Sequence, residues 1–395
     1  MRTGSKAGLL ISIFSAAITA SFVGFGGTVA LVVEAARTVN ATQTQIASWI
    51  ATLCFGIAVT TLYLSLRHHL PIITAWSTPG AALVASSAKG LNLAEAVGAF
   101  TVAGGLILLV AAIRPLGRLI ERIPAAIASA MLAGVLVHFC LEVTNVAQTS
   151  PLFVLPLVAT FFLVKLWKAS LAVFLTFAVG LILAAVGGLV QSNCCDIKPT
   201  IITRIVPIFD LPSIIGLGLP LFLVTMASQN LPGIAVLKAA GYSPPTRSSF
   251  AVTGFASLLL APFGAHGINL AAITAAICTG PSCHPNPDRR WIAGLVYAAC
   301  YLVLAAFASS FVDLLKALPA SLVTTIAGLA LFGPLQGALQ GALAGDGHQN
   351  EAAVLTFLVA ASGANFVGVG SAFWGLAVGL IFLSISHIYQ RSKTS

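Results

Sequence analysis

Residues 71–87 read PIITAWSTPGAALVASS, an apolar stretch that cannot form one ordinary membrane helix. Pro71, the β-branched pair Ile72 and Ile73, and then Trp76 favour an extended start. Thr78 ahead of Pro79 instead reads as a helix cap with proline at the first helical position. The expectation is a short strand that turns into a helix. About six extended residues at ~3.3 Å and nine helical residues at ~1.5 Å span roughly 33 Å, close to the ~30 Å hydrocarbon thickness of a bilayer. The helix should therefore start near mid-membrane. Non-helical backbone is tolerated at that depth only where protein buries it or where it lines a cavity, so a functional site is to be sought there.

The rest of the chain demands a membrane. Of its 395 residues 58% are hydrophobic and 7% charged, with a mean hydropathy of +1.02, too apolar to hide in a soluble core. The apolar run from Ala7 to Ala36 is too long for a cleaved signal peptide and leads straight into the next span, so it is expected to stay attached. The net charge of +9 does not mark a nucleic-acid partner, because the basic residues lie in short loops between apolar runs. With fourteen spans and a cytoplasmic N-terminus, 14 of the 19 Lys and Arg fall inside, Lys165 and Lys168 among them, and 5 outside. That is the positive-inside pattern, and it puts both termini in the cytoplasm. The seven cysteines lack zinc or redox spacing. Cys54, Cys140, Cys278 and Cys300 read as small buried hydrophobes. Cys194 and Cys195 sit in the longest outside loop, and adjacent cysteines rarely pair without strain.

Spans are expected at 7–36, 43–66, 71–87, 92–113, 123–143, 150–166, 169–190, 212–239, 247–261, 263–279, 290–311, 318–341, 351–367 and 370–390. The two halves resemble each other. Glu34-Ala35-Ala36 has its counterpart in Lys238-Ala239-Ala240, Pro71 in Pro262, and the run from Ile123 (IPAAIASAMLAGVL) in the run from Leu318 (LPASLVTTIAGLAL). One ancestral unit of seven spans used twice must sit inverted the second time, since seven is odd. The fold class is thus an all-α polytopic membrane protein of 14 transmembrane segments in two inverted repeats, with extended pieces and half-helices in segments 3 and 10. The second broken segment is PFGAHGINLAAITAAICTG, 262–280, with Gly267 or Asn269 as its expected cap.

Two helix amino ends converging near mid-membrane offer unpaired N–H groups and partial positive charge, an anion site needing no Arg or Lys. No basic residue lies deep in any expected span. Ser228, Gln229 and Asn230 precede Leu231-Pro232-Gly233, and their amides suit either a ligand or helix-to-helix hydrogen bonds. Phe22, Phe25 and Trp76 adjoin the breaks and can wall an aromatic pocket or merely pack. His266 can titrate near neutrality or be satisfied by backbone carbonyls. Glu34, Glu142 and Asp313 lie near span ends and read as solvated or gate-side groups.

ITAWSTPGAAL (73–83), TMASQNLPGIAVLKAAGY (225–242) and GAHGINLAAITAAICTG (264–280) resemble the signature stretches of the BenE family of benzoate:proton symporters, over essentially the whole chain. That family is in turn similar to the nucleobase permeases and the SulP-type anion transporters. The resemblance implies a core domain (7–113 and 212–311) moving against a gate domain (123–190 and 318–390), with substrate held between the half-helices. It places Ser77, Thr78 and Pro79 at the cap of segment 3. It places Ser228, Gln229 and Asn230 on the substrate-facing part of segment 8, and His266, Gly267, Ile268 and Asn269 in segment 10. Nucleobase permeases carry acids in segments 8 and 10 where this chain has Gln229 and Ile268, a change that suits an anion but leaves the proton without its usual bearer.

The expected function is import of benzoate or a related small aromatic carboxylate with a proton, by alternating access, across a bacterial inner membrane. The alternative is a transporter or channel for another small anion on the same fold. Partners are the anion, a proton and membrane lipid, with a homodimer through the gate domain allowed and no nucleic acid. No cofactor or metal is implied. HExxH, GxSxG and GxxxxGK[ST] are all absent from the sequence, which argues against an enzyme or an ATP-driven pump.

Overall fold

A computed structural model describes residues 6–26, 28–113, 124–168, 171–190, 198–364, 366 and 371–394. The adjacent pair Cys194 and Cys195 lies outside the described residues.

The first apolar run is one candidate span, Leu10–Thr38, as expected over 7–36, but it is broken into two helices, α1 (Lys6–Gly26) and α2 (Val29–Thr38). Its glycine-rich 24–27 stretch has low helix propensity, and Thr28 beside it is diverted into side-chain bonds. The Thr28 hydroxyl donates to the Gly24 carbonyl (2.7 Å) and accepts from the Trp76 indole N–H (2.8 Å). Then come α3 (Gln43–His68), β1 (Thr74–Trp76), α4 (Thr78–Ser87) and α5 (Leu93–Ala112). Next are α6 (Ala125–Thr149), α7 (Pro151–Lys168) and α8 (Ala172–Val186).

The second half begins with α9 (Leu211–Ala239). It is followed by α10 (Thr246–Leu260), β2 (Ile268–Leu270) and α11 (Ile273–Thr279). Last come α12 (Ile292–Ala306), α13 (Ala308–Ala317), α14 (Ala320–Ala342), α15 (Gly347–Ala361) and α16 (Ser371–Thr394). The chain is thus mostly helical, and among the described residues seven helices are long and apolar enough to cross a membrane. The expected spans fall on these elements with boundaries displaced by a few residues.

Helix α9 slips twice into π-type turns, at Ile214–Gly218 and Met226–Asn230. Pro220 and Pro232 follow them, and a proline has no N–H to return to the carbonyl four residues back, so the ladder shifts register there.

The helices pack in two groups. The most extensive contacts join α5 to α10, α3 to α12, α2 to α4 and α1 to α11 and α12; in the second group α6 packs on α14 and α15, α15 on α16, and α7 on α8. Backbones touch where small residues allow it. A Cβ on Gly104 would lie 2.7 Å from the Leu258 nitrogen, and one on Gly254 would lie 2.6 Å from the Leu108 nitrogen, so α5 and α10 meet at this distance only with glycine.

Strands β1 and β2 pair antiparallel, Thr74 with Leu270, Ala75 with Asn269 and Trp76 with Ile268. The two broken segments therefore run in opposite directions. Side chains complete what so short a ladder leaves unpaired. The Thr74 N–H donates to Thr61 Oγ1 (3.0 Å), the Ile268 N–H to Ser257 Oγ (2.8 Å) and the Leu270 N–H to Asn230 Oδ1 (2.9 Å). The Asn269 carboxamide donates to the carbonyls of Ala75 (2.7 Å) and Trp76 (3.3 Å).

Two caps differ from expectation. Ser77, not Thr78, caps α4, accepting from the Gly80 N–H at 3.1 Å, so proline falls at the second helical position. Neither Gly267 nor Asn269 caps α11. Asn269 is held in the strand pair, and the cap is Ala272, which offers no side-chain acceptor.

His266 ties the segments together. The Trp49 indole only donates, so His266 Nδ1 must accept from it (3.0 Å), which leaves Nε2 to donate to the Ser77 carbonyl (2.9 Å). Replacing His266 with Phe strands the buried Trp49 indole N–H, at ~1–3 kcal/mol, and takes one of two donors from the Ser77 carbonyl, which keeps the Ala81 N–H (2.8 Å). The expected outcome is a lower midpoint in a thermal melt of detergent-solubilised protein, and an unchanged midpoint would show that the tie adds nothing to stability.

Candidate substrate site

Three neighbouring cavities meet beside Gln229 and the amino ends of α4 and α11, and the smallest of them reaches β1. The innermost, of about 80 Å³, is lined by residues including Val23, Gly24, Thr28, Trp76, Thr78, Gln229, Ala272, Ile273, Thr274 and Tyr301. A second, of about 380 Å³, shares Thr28, Thr78, Gln229 and Ile273 with it and is walled by Phe22, Phe161, Phe174 and Phe177. A third, of about 560 Å³, shares Pro79, Gln229 and Ile273 and runs between α9, α6 and α14 past Ser228 and Pro232.

Gln229 lines all three. The π-turn of α9 presents it there, and its carboxamide makes no hydrogen bond among the described residues. Thr274 Oγ1 and Tyr297 Oη are buried without a hydrogen bond of good geometry, the Tyr297 hydroxyl lying near those of Tyr301 and Thr274. They lie close to Tyr301 across Gly24: a Cβ on Gly24 would come to 2.8 Å from Tyr301 Oη, 3.2 Å from Thr274 Cγ2 and 3.5 Å from Tyr297 Oη. Amide and hydroxyls thus converge on the small pocket, which the amino-terminal residues of α4 and α11 also line. The pocket offers neutral hydrogen-bond donors, and among the described residues no carboxylate lines any of the three cavities.

The residues expected in the site divide into two sets. Trp76, Thr78, Pro79, Ser228, Gln229 and Phe22 line one or more of the cavities. The remainder are spent on structure. Ser77 caps α4 and hydrogen-bonds Thr225 Oγ1 (2.9 Å). Asn230 is fully buried, accepting from Leu270 N–H and placing its Nδ2 3.2 Å from Met226 Sδ. His266 is consumed by Trp49 and Ser77. The Gly267 carbonyl accepts from the Ser77 N–H (3.2 Å), and Ile268 and Asn269 belong to the ladder. Phe25 is buried against Trp76 (5.7 Å between centroids) and Phe311 (4.9 Å), so it backs the indole rather than lining a cavity.

Thr28, Thr274, Tyr297 and Tyr301 were not singled out by the sequence reading. The tyrosines one helical turn apart on α12 carried the available signal, a polar edge on an otherwise apolar span. Lys165, expected at a cytoplasmic boundary, lines the 380 Å³ cavity.

Broken, oppositely directed segments around a polar pocket in an apolar helical chain define a membrane transport protein. The transmembrane domain of a cyanobacterial bicarbonate transporter, BicA, has the same fold, with a TM-score of 0.63 at 14% identity over 95% of this chain and 97% of that one. The family model for benzoate membrane transport protein, BenE, matches residues 8–385, and the chain belongs to that family. It is 40% identical to Inner membrane protein YdcO of Escherichia coli over 96% of this chain and 97% of that protein. It is 33% identical to Benzoate membrane transport protein of Acinetobacter baylyi over 93% of each. The chain is a transporter, not an enzyme.

Gly24→Val tests the pocket. Its side chain must enter space next to Tyr301 Oη, and a buried tyrosine cannot step aside cheaply. The melting midpoint should fall with the overpacking, substrate binding to the protein that stays folded should drop at least tenfold, and binding within twofold of the parent would remove this pocket from consideration.

Proposed function

We propose that the protein imports benzoate or a closely related aromatic carboxylate together with a proton, by alternating access across a bacterial inner membrane. The observation that carries this reading is Gln229, a polar side chain without a hydrogen-bond partner among the described residues, at the junction of three cavities beside the amino ends of two half-helices. Membership of the benzoate transport family and the names of its two relatives favour the same substrate and membrane.

The carboxylate is received in the inner pocket by Gln229, by the hydroxyls of Thr274 and Tyr301, and by the amino end of α4. Size places the ring. A dry cavity of about 150 Å³ holds benzene, so 80 Å³ admits the carboxylate but not the ring, and the ring extends past Thr78 toward Phe22 in the 380 Å³ cavity.

The chain is read as 14 segments in two inverted repeats, supported by the antiparallel strand pair and the matched breaks. The first packing group corresponds to the core domain, 7–113 with 212–311. The second corresponds to the gate domain, 123–190 with 318–390, through which a homodimer would form. With both termini cytoplasmic by the charge rule, the two larger cavities lie in the inner half and the conformation is inward-facing. The coupling proton needs a carboxylate from outside the substrate cavities. Glu34 on α2 and Glu142 on α6 line a separate cavity of about 240 Å³ between the two groups, on the opposite side.

Uptake of labelled benzoate into vesicles under an imposed pH gradient, competed with salicylate, uracil and sulfate, tests the function. Benzoate should accumulate uphill, with salicylate competing and uracil and sulfate failing to. Gln229→Ala removes one hydrogen bond to a charged group, ~1.5–3 kcal/mol, or about ten- to a hundredfold in KM. Dissipation of the gradient without loss of uptake would exclude proton coupling, and no uptake at all would exclude the substrate.

A further inference from the structure

Lys165 brings a positive charge into the cavity next to the substrate pocket. It lies in the last turn of α7, and its Nζ stands 4.2 Å from the ring centre of Phe332 and 5.9 Å from that of Phe161. The side chain is only partly exposed, and no carboxylate among the described residues pairs with it. The ion pairs among the described residues join Arg37 to Glu34 and His348 to Glu351. Aromatic faces return some of the hydration an ammonium loses, ~0.5–2 kcal/mol each, but do not neutralise it. An unbalanced cation among rings calls for an anion with an aromatic body. The cavity has the room, at about 380 Å³ against the ~150 Å³ that holds benzene. Thr78, Gln229 and Ile273 form a wall common to it and the inner pocket.

We propose that this cavity is a second anion station, in which Lys165 holds the carboxylate of a substrate that has left the inner pocket, before its release to the cytoplasm. The proposal rests on the aromatic-carboxylate reading above. The station engages substrate from the cytoplasmic face, because Lys165 sits at the end of α7 that the charge rule assigns to that side. It selects charge rather than shape: an uncharged analogue of equal size, benzamide, gains nothing from Lys165.

The experiment compares labelled benzoate uptake by intact cells with uptake by inside-out vesicles for the wild type, Lys165→Met and Lys165→Arg. Methionine keeps the length and apolar packing of the stem while removing the charge. The expected result for Lys165→Met is a KM at the cytoplasmic face raised about tenfold, a far smaller change at the external face, and near-normal values for Lys165→Arg. Inhibition by benzamide should not respond to either substitution. A cytoplasmic KM unchanged in Lys165→Met, or raised equally at both faces, overturns the station while leaving benzoate transport standing. Absence of benzoate uptake in the wild type overturns the substrate reading instead. If Lys165→Met does not insert, the wild type decides: benzoate must be preferred over benzamide more strongly at the cytoplasmic face than outside, and equal preference overturns the proposal.

Discussion

Three residue pairs of antiparallel strand, Thr74 to Trp76 against Ile268 to Leu270, are what the surrounding helices exist to protect. Hydrocarbon offers no hydrogen bonds, and a backbone group left unpaired there costs several kcal/mol. Three pairs cannot satisfy every N–H and C=O of two extended segments. Thr61, Ser257, Asn230 and Asn269 supply the balance, each from a buried position. His266 then fastens the loop before β2 to Trp49 on one side and to the start of α4 on the other. The break in each segment is stable only in the presence of the other, which is why the two must occur together.

This constraint explains which parts were legible in the sequence. Pro71 to Trp76 and Thr78-Pro79 announce a strand followed by a helix through local propensity alone, and the expected spans follow from runs of apolar residues. The caps were harder. Ser77 and Thr78 are both good caps, and what decides for Ser77 is tertiary: its carbonyl is engaged by His266 and its N–H by Gly267, fixing it as the last extended residue. At α11 the polar candidates Gly267 and Asn269 were already committed to the strand pair, so the helix starts on Ala272 without a side-chain cap. The same competition separates Gln229 from Asn230. Adjacent in sequence and alike in chemistry, they point different ways from a π-turn, one to the Leu270 backbone and the other to the cavities. Thr274, Tyr297 and Tyr301 come together only because α1 thins to glycine at Gly24, a coincidence of three distant segments that no local pattern records.

A pocket made of neutral donors fits a carrier better than one built on a fixed charge. A substrate carboxylate stripped of water loses several kcal/mol, and two or three hydrogen bonds of ~1.5–3 kcal/mol each roughly restore it. Burial of the ring then leaves a net affinity in the range of ~4–8 kcal/mol, millimolar to micromolar. That is firm enough to select and weak enough to let go, and a transporter must do both. An arginine in the same place would form a bidentate pair and deepen the well, slowing release. A buried glutamate would repel the anion. Gln229 does neither, and in the proposed import cycle Lys165, outside the pocket, would pull on a substrate already on its way out. The pull is a gradient along the path, not a trap at its centre.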